Sequence, residues 1–243
     1  MHIYAIGDIH GHLDLLKSAH HRINADMALH GHGRIIHLGD LVDRGPDCRG
    51  VVDFLMRGVA EGRDWVVLQG NHDRLFTQFL NDPKWRDPGL KSEHSWLHPK
   101  IGGAATLASY GVRSAADRPV AKVHADAVAA VPATHRAFLE GLPNRLACED
   151  AIFVHAGIRP GVPLADQVED DLVWIRRAFL EDTRDHGALV VHGHTAIDKA
   201  THYGNRLNMD SSAAYGGPLS AAVIKGRRAF LLTDAGRVPL LPA

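Results

Sequence analysis

Residues 65–73 read WVVLQGNHD, an apolar run followed by a glycine and three polar side chains. The run has the length and composition of a buried strand. Two earlier stretches have the same form, HIYAIGDIH over residues 2–10 and RIIHLGD over residues 34–40. Apolar residues at helical spacing follow each of the three stretches. Three strand–loop–helix units in succession predict a mostly parallel sheet that is buried on both faces.

Side chains that can bind metal follow these runs directly, and two later apolar runs end in the same way, in VHAG and VHGHT. The carboxyl ends of neighbouring parallel strands meet at one edge of a sheet, where ligands bind. We therefore expect the polar side chains to lie close together. They are Asp8, His10, Asp40, Asn71, His155 and His194.

A single Asp or Asn after a strand has an ordinary alternative role as the N-cap of the next helix. Capping does not account for the glycines that precede these side chains, nor for the recurrence of histidine. Glycine lets the backbone approach a ligand closely. A ligand-binding edge is therefore favoured over five independent caps. The recurring histidines are His10, His72, His155, His192 and His194.

The segment from about 82 to 140 interrupts the alternation of strands and helices. It contains an Ala-rich helical stretch around 101–110 and two further helical stretches. No linker of low-complexity Gly, Ser or Pro flanks it. The pattern predicts a helical, cap-like insertion within a single domain that covers residues 1–243.

Short strands dominate after Pro143. RLACEDAIFVHAG indicates a hairpin that turns at Glu149–Asp150, and ALVVHGH, RLNMDSS, LSAAVIKG and RAFLLTD follow as further strands. DLVWIRRAFLED between them predicts one amphipathic helix. These strands predict a second sheet, with antiparallel pairs, packed on the first.

Composition excludes several classes of function. The chain has 27 basic and 28 acidic residues, a formal net charge of −1 and no long run of like charge, so we expect neither a nucleic-acid nor a membrane partner. It shows no membrane span and no secretion signal, which predicts a cytoplasmic protein. Its two cysteines, Cys48 and Cys148, are widely spaced and are expected to be free thiols. The oligomeric state is left open.

The six candidate ligands comprise three His, two Asp and one Asn. Nitrogen and oxygen donors without a thiolate favour borderline-hard divalent ions, with manganese expected and iron or zinc as alternatives. Six ligands exceed the roughly four protein groups that one catalytic ion takes, so two ions are predicted. Asp40, central in the strand order, is the expected bridge.

The motifs GDIHG, GDLVDRG, GNHD, VHAG and GHT, in this order over residues 7–195, resemble the five signature blocks of the calcineurin-like metallophosphoesterases. The GDLVDRG block resembles the phosphoprotein phosphatase branch, which includes serine/threonine phosphatases and symmetrical diadenosine tetraphosphate hydrolases. The resemblance implies two mixed β-sheets packed as a sandwich with helices outside, in four α/β/β/α layers. It also implies metal roles by position. Asp8 and His10 would hold one ion, Asp40 would bridge, and Asn71, His155 and His194 would hold the other.

The same resemblance implies that His72 is the general acid for the leaving oxygen, kept protonated by Asp43. A histidine with a pKa near neutral can donate that proton, and a carboxylate partner fixes its orientation. A third metal ligand or a structural hydrogen bond remains the alternative role for His72.

Arginines pair with phosphate oxygens and offset the charge of the transition state. The resemblance implies this role for Arg44 and Arg176, with Arg177 as the competing choice. Asp73 is expected to pair with Arg44 and not to bind metal.

Residues 209–217, MDSSAAYGG, resemble the family's N-x-D-T-G-A-x-x-G-G strand and turn, with Ser211 and Ser212 in place of the Thr–Gly pair. This substitution predicts an altered turn, and no chemistry is assigned to it. His192 is expected to lie in the core, with a role behind a metal ligand as the alternative.

The predicted function is a dinuclear-metal phosphatase that hydrolyses phosphate monoesters by in-line attack of a metal-bridging hydroxide. Phosphoserine and phosphothreonine in proteins are the expected substrates, with small phosphoesters included. The alternative is a symmetrical diadenosine tetraphosphate hydrolase, for which the insertion would supply a basic, partly aromatic groove. A non-catalytic binding module on the same fold is a further alternative. The candidate groove residues are Lys84, Trp85, Arg86, Lys91, Trp96 and Lys100.

Overall fold

The computed structural model describes residues 2–148 and 150–243 of the chain. Two β-sheets lie face to face, and helices cover the outer face of each. This four-layer α/β/β/α arrangement confirms the fold predicted from the motifs. Glu149 of the predicted hairpin turn lies outside the described residues.

The first sheet has six strands in the order β11-β10-β9-β1-β2-β3. Strands β1, β2 and β3 are parallel, as predicted, and β9 is antiparallel to β1. The strands are β1 (His2–Ile6), β2 (Gly33–His37), β3 (Trp65–Val67), β9 (Ala221–Lys225), β10 (Arg228–Thr233) and β11 (Gly236–Leu240).

The second sheet has five strands in the order β4-β5-β6-β8-β7. Strands β5, β6 and β8 are parallel, and β4 and β7 pair antiparallel at the two edges. The strands are β4 (Arg145–Cys148), β5 (Ala151–Val154), β6 (Leu189–His192), β7 (Thr201–His202) and β8 (Arg206–Asn208).

Alternation along the strands divides the apolar side chains between two cores. In β1, Ile3 and Ala5 face the second sheet and contact the same cluster as Phe153. Tyr4 and Ile6, one position along, pack beneath the helices instead. Because successive strand residues point to opposite faces, a strand buried on both sides must be continuously apolar. This requirement explains the unbroken apolar runs in the sequence.

The α-helices of the described residues fall into two groups. Six cover the first sheet: α1 (Leu13–His30), α2 (Cys48–Ala60), α3 (Asn71–Asn81), α4 (Gly103–Ser109), α5 (Val120–Ala130) and α6 (Ala133–Glu140). Two short ones, α7 (Glu169–Trp174) and α8 (Arg177–Leu180), cover the second sheet. Helices α4, α5 and α6 lie within the segment 82–140, and their buried side chains share one hydrophobic cluster with α2 and α3. Among the described residues, no helix is long and apolar enough to cross a membrane.

Two sequence-based expectations were wrong. The stretches LSAAVIKG and RAFLLTD, expected in the second sheet, form β9 and β10 of the first, because the chain returns to the edge of β1 that β2 leaves free. The predicted single helix DLVWIRRAFLED is broken at Arg176, whose φ of −129° and ψ of −98° are not helical. The break separates α7 from α8.

Candidate metal centre and active site

The six predicted metal ligands lie together at the carboxyl-terminal edges of the two sheets. Asp8 and His10 follow β1, Asp40 follows β2 and Asn71 begins α3 after β3. His155 and His194 follow β5 and β6 in the second sheet. All six side chains are buried. Neighbouring strands of both sheets therefore converge on one polar centre within an otherwise apolar interior.

The backbone is unusual where these side chains enter the centre. Seven non-glycine residues in the described part of the chain have positive φ, and five of them are predicted site residues. Left-handed backbone is unfavourable for residues with a Cβ and persists where the surrounding structure imposes it, commonly at functional sites. The five are His10, Asp40, Asp43, Arg44 and His194.

One cluster of ligand atoms comes from His10, Asp40 and His72, whose donor atoms lie within 4.8 Å of one another. His10 Nε2 is 3.3 Å from Asp40 Oδ2. His10 Nδ1–H donates to the carbonyl oxygen of Val42 at 2.8 Å, which leaves the lone pair on Nε2 directed at the centre.

A second cluster comes from Asp40, His155 and His194, again within 4.8 Å. His155 Nε2 is 3.3 Å from Asp40 Oδ1 and 2.9 Å from Asn71 Oδ1. His155 Nδ1–H donates to the carbonyl oxygen of Leu38 at 2.8 Å, so its Nε2 also presents a lone pair. Asp40 belongs to both clusters, one carboxylate oxygen toward each.

These residues fit divalent cations. The lone pair of His155 Nε2 faces the Asn71 amide oxygen, so two acceptors meet without a proton between them, an arrangement that a shared cation satisfies. Asp8 Oδ1 and His194 Nε2 are buried and have no hydrogen-bond partner among the described residues. Gly193 also approaches Asp8 so closely that an added Cβ would overlap Asp8 Oδ1. A buried polar atom without a partner lowers the stability of the fold, and a bound cation would give one to both Asp8 Oδ1 and His194 Nε2.

The electrostatics of the centre also favour cations. Burial, followed by the negative charges of Asp210 and Asp40, raises the pKa of Asp8 well above its ordinary value. Burial also opposes ionisation of Asp40, but His155, His72 and His10 outweigh it and hold the pKa of Asp40 well below its usual range. Crowded carboxylates of this kind create a negative site that bound cations neutralise.

Asp210 is a site residue that the sequence analysis did not assign. It is 5% exposed, and burial raises its pKa. Its Oδ1 accepts the backbone N–H of Ser212 at 3.1 Å, which fixes it at the start of the turn after β8. Ser212 adopts the left-handed conformation, with φ of 66°, at the position where the family's motif has glycine. The MDSSAAYGG motif was therefore the signal for this aspartate.

The structure places His72 beside the first cluster and Asp43 behind it. His72 Nδ1–H donates to Asp43 Oδ2 at 2.6 Å. Asp43 is fully buried and also accepts Trp96 Nε1–H at 2.9 Å and the hydroxyl of Thr106 at 2.6 Å. Burial lowers the pKa of His72, and the carboxylates of Asp40 and Asp43 act against that change. Trp96 and Thr106 belong to the insertion, and no sequence pattern had linked them to Asp43.

The two predicted phosphate-binding arginines reach the centre from different sides. Arg44 donates from Nη1 to His10 Nε2 at 2.7 Å and from Nη2 to His72 Nε2 at 3.0 Å. Arg176 Nη1 lies 3.5 Å from the hydroxyl of Thr195, the residue after His194. Arg177 points away: its side chain is 87% exposed and pairs with Glu181. The helix break at Arg176 thus separates one arginine at the site from one in solvent.

The expected pairing of Asp73 with Arg44 is wrong. Asp73 Oδ1 accepts the backbone N–H of Leu41 at 2.9 Å, and its Oδ2 accepts the backbone N–H of Gly70 at 2.8 Å. Asp73 therefore caps the start of α3 and ties the loop after β2 to the loop after β3. Both backbone donors are buried and would otherwise lack partners.

The remaining candidates lie outside the centre. His192 is fully buried against Phe179 and belongs to neither of the two donor clusters found among the described residues. Cys48 and Cys148 are both free thiols in the part of the chain that the structure describes.

The six candidate groove residues of the insertion do not form one groove. Lys84, Trp85, Arg86 and Trp96 line a cavity of about 300 Å³. Lys100 lines a separate surface depression beside Arg44, and Lys91 lines neither of the two.

Comparison with known proteins agrees with this architecture. The sequence profile of the family described as calcineurin-like phosphoesterase matches residues 1–222, and the chain belongs to this family. It is 25% identical over 239 residues to the bis(5'-nucleosyl)-tetraphosphatase PrpE [asymmetrical] of Anoxybacillus flavithermus, covering 89% of this chain and 87% of the relative. The protein of the same name from Geobacillus thermodenitrificans is 24% identical over 247 residues, covering 91% and 89%.

Two solved structures share the fold. A structure described as a putative diadenosine tetraphosphatase has a TM-score of 0.63 at 22% identity, covering 100% of this chain and 95% of that one. The cold-active protein-tyrosine phosphatase of a Shewanella species also has a TM-score of 0.63, at 16% identity, covering 99% and 80%.

Proposed function

We propose that this metallophosphoesterase hydrolyses bis(5'-nucleosyl) tetraphosphates with two divalent ions. The two PrpE relatives, each matched over nearly nine-tenths of its own length, support this substrate over the phosphoproteins that the motifs first suggested. The proposed ligands are Asp8 and His10 for one ion, Asp40 as bridge, and three residues for the other. Those three are Asn71, His155 and His194.

The observation that carries the proposal is Asp40, which contributes one carboxylate oxygen to each donor cluster. Two ions held in this way would stabilise charge on the phosphoryl group and lower the pKa of the attacking water. The donor set, imidazole and carboxylate without thiolate, suits manganese, with iron or zinc as alternatives.

The surrounding residues have separate tasks in this proposal. Arg44 and Arg176 bind the phosphoryl oxygens from two sides and offset the negative charge that develops during the reaction. In this step His72 is protonated at Nε2, in place of the hydrogen bond that this atom accepts from Arg44, and gives the proton to the leaving phosphate oxygen. Asp43 accepts the Nδ1–H of His72 and supports its positive charge. Trp96 and Thr106 hold the Asp43 carboxylate in position, because both donate hydrogen bonds to it.

Hydrolysis of phosphoserine and phosphothreonine is a second candidate, favoured by the GDLVDRG block that supplies Asp43 and Arg44. A direct comparison of substrates separates the two. Diadenosine tetraphosphate, a phosphothreonine peptide and p-nitrophenyl phosphate are offered to the enzyme in manganese buffer, and kcat/KM is measured for each.

We expect the highest kcat/KM with diadenosine tetraphosphate. ATP and AMP are the expected products, since the relatives are named as asymmetrical enzymes, and two ADP molecules would indicate symmetrical cleavage. A higher kcat/KM with the phosphopeptide would reject the proposal in favour of the second candidate. Arg176→Ala should lower kcat/KM for diadenosine tetraphosphate, and the matched control Arg177→Ala should not, because the two arginines are adjacent and only Arg176 reaches the centre.

A further inference from the structure

A surface trough of about 690 Å³ opens directly beside Arg44. This volume is within the range of about 300–1,000 Å³ that is usual for small-molecule sites. Leu97 and Lys100 of the insertion line it, together with Tyr215 from the turn after β8. Five of its ten lining residues are glycine or alanine, which leaves room for a planar group between the larger side chains.

Arg44 connects the trough to the reaction centre. Its guanidinium donates to His10 and His72 on one side, and the same guanidinium carbon lies 5.3 Å from the centroid of the Tyr215 ring on the other. A phosphate bound by Arg44 at the centre would therefore have its next substituents beside Tyr215.

Tyr215 is presented to solvent by an anchored turn. The residue is 66% exposed, although its ring is one of the larger apolar groups in the chain. The turn beneath it is held by Ser212, whose hydroxyl donates to Ile197 O at 2.9 Å, and by Ser211, whose hydroxyl donates to Pro218 O at 2.7 Å. The same turn begins at Asp210 in the metal centre, so the ring has a fixed position relative to the reacting phosphate. A rigid, exposed aromatic ring suits stacking, because little freedom is lost on binding.

The charge of the trough indicates which ligand fits it. Arg44 and Lys100 are cationic, and none of the described residues that line it is acidic. An aromatic face combined with cations matches a purine or pyrimidine base attached to a chain of phosphates, since bases stack on aromatic rings and phosphates pair with Arg and Lys.

We propose that this trough binds one nucleoside of the substrate, with its base stacked on Tyr215 and the neighbouring phosphates against Arg44 and Lys100. The inference rests on the proposed function and adds to it a residue that sets substrate specificity. Small phosphate esters, which lack a base, do not use the trough.

The test compares binding of ADP with binding of inorganic pyrophosphate, which carries the same number of phosphates and no base. Calorimetric titrations use the manganese-loaded enzyme and its Tyr215→Ala variant. We expect the variant to bind ADP about tenfold more weakly, the size of effect that loss of one base–aromatic stack produces, and to bind pyrophosphate as the wild type does. Tyr215→Phe keeps the ring and should bind ADP normally.

Tyr203→Ala is a matched control. Tyr203 is also exposed and pairs with an arginine, Arg206, whose guanidinium lies 3.7 Å from its ring centroid. It precedes the amino end of β8, opposite to the edge that carries the metal centre, so its loss should not change ADP binding.

Equal affinity of wild type and Tyr215→Ala for ADP would overturn the inference. Weaker binding of a phosphopeptide by Tyr215→Ala, with ADP binding intact, would overturn it as well and mark the trough as a peptide site. If the proposed function is wrong, the result is different: the wild type does not hydrolyse diadenosine tetraphosphate. The comparison of ADP with pyrophosphate still tests whether the trough binds a nucleoside.

Discussion

At the scale of single residues, the proposed function assigns cation binding and proton transfer to different side chains of the centre. Asp40 lies between the two donor clusters and offers an oxygen to each, whereas His72 directs one ring nitrogen at Asp43 and the other at the centre. The two side chains are neighbours, with His72 Nε2 4.0 Å from Asp40 Oδ2. Their substitutions should nevertheless have different consequences.

We expect Asp40→Asn and His72→Asn both to lower kcat, but only Asp40→Asn to lower metal content. Asn offers one neutral oxygen where Asp40 offers two charged ones, so bound manganese and activity should fall together, the latter by at least about 100-fold. His72→Asn should retain manganese and lose about 100- to 10,000-fold in kcat with alkyl phosphates, whose leaving oxygen needs a proton. p-Nitrophenyl phosphate has a good leaving group, so the loss of kcat in His72→Asn should be much smaller with this ester.

Metal content is measured by atomic emission after gel filtration, alongside kcat for the two esters. An alkyl phosphate turned over by His72→Asn at the wild-type rate would remove the proposed role of His72 as proton donor. Loss of manganese in His72→Asn would instead make it a ligand, as its place in the first donor cluster allows.

At the scale of elements, the segment from about 82 to 140 contacts the proposed reaction centre. Trp96 and Thr106 are its contributions, and both donate to Asp43, which in turn holds His72. Trp96 also stacks on Phe76 of α3, with ring centroids 5.3 Å apart. The segment is therefore fixed on the helix that begins with Asn71 and His72, and its position affects His72, the proposed proton donor.

Trp96→Phe should lower kcat for diadenosine tetraphosphate by about 10- to 100-fold with little change in KM. Phe keeps the aromatic packing on α3 but removes the N–H that donates to Asp43, a hydrogen bond to a charged group worth about 1.5–3 kcal/mol. A purely structural role would lower the melting temperature and leave the pH profile of kcat unchanged. We expect the reverse, with the profile shifted because Asp43 supports the charge of His72 less well.

Trp85→Phe, in the same segment and without a hydrogen bond to Asp43, is the control for Trp96→Phe. Equal pH profiles for Trp96→Phe and the wild type would show that the indole N–H does not act through His72.

At the scale of the whole molecule, the sequence predicts strands β1, β2 and β3 and the convergence of the candidate ligands well, because both depend on local patterns. Each ligand follows its own strand, so the motifs locate the side chains without knowledge of distant contacts. The assignment of β9 and β10 to a sheet depends on which edge of β1 is free, and the contacts of Trp96 with Asp43 join residues 53 positions apart. Neither relation leaves a periodic signal. The helix break at Arg176 is also absent from the pattern, since tertiary contacts override a favourable helical sequence there.

Several of the 18 histidines are buried in the fold and make its stability depend on pH. Burial lowers the pKa of His20 to about 2, that of His37 to about 4 and that of His192 to about 3, from an ordinary value of 6.5. His20 and His37 share a hydrogen bond of 3.0 Å between their Nε2 atoms. His37 Nδ1 lies 3.2 Å from the carbonyl oxygen of Val66, an arrangement that suits neutral rings.

The unfolded chain takes up protons on these rings near pH 6.5, whereas the folded chain does not until the pH is far lower. The free energy of unfolding must therefore fall as pH drops below about 6.5, by about 1.4 kcal/mol per pH unit for each such histidine. Asp8 and Asp210, whose pKa values are raised by burial, act in the opposite direction, because the folded chain binds their protons first. A variant that lacks one buried histidine isolates the histidine contribution.

His20→Gln should make the metal-free protein less sensitive to acid. Gln can still donate a hydrogen bond toward His37 but does not take up a proton in the unfolded chain. Between pH 7 and pH 5 we expect the free energy of unfolding of the wild type to fall by about 2 kcal/mol more than that of His20→Gln, measured by urea titration in chelating buffer. His21→Gln, at the exposed neighbouring position, should follow the wild type. If His20→Gln and the wild type lost stability in parallel on acidification, burial of a neutral His20 would not contribute to the acid sensitivity of the fold.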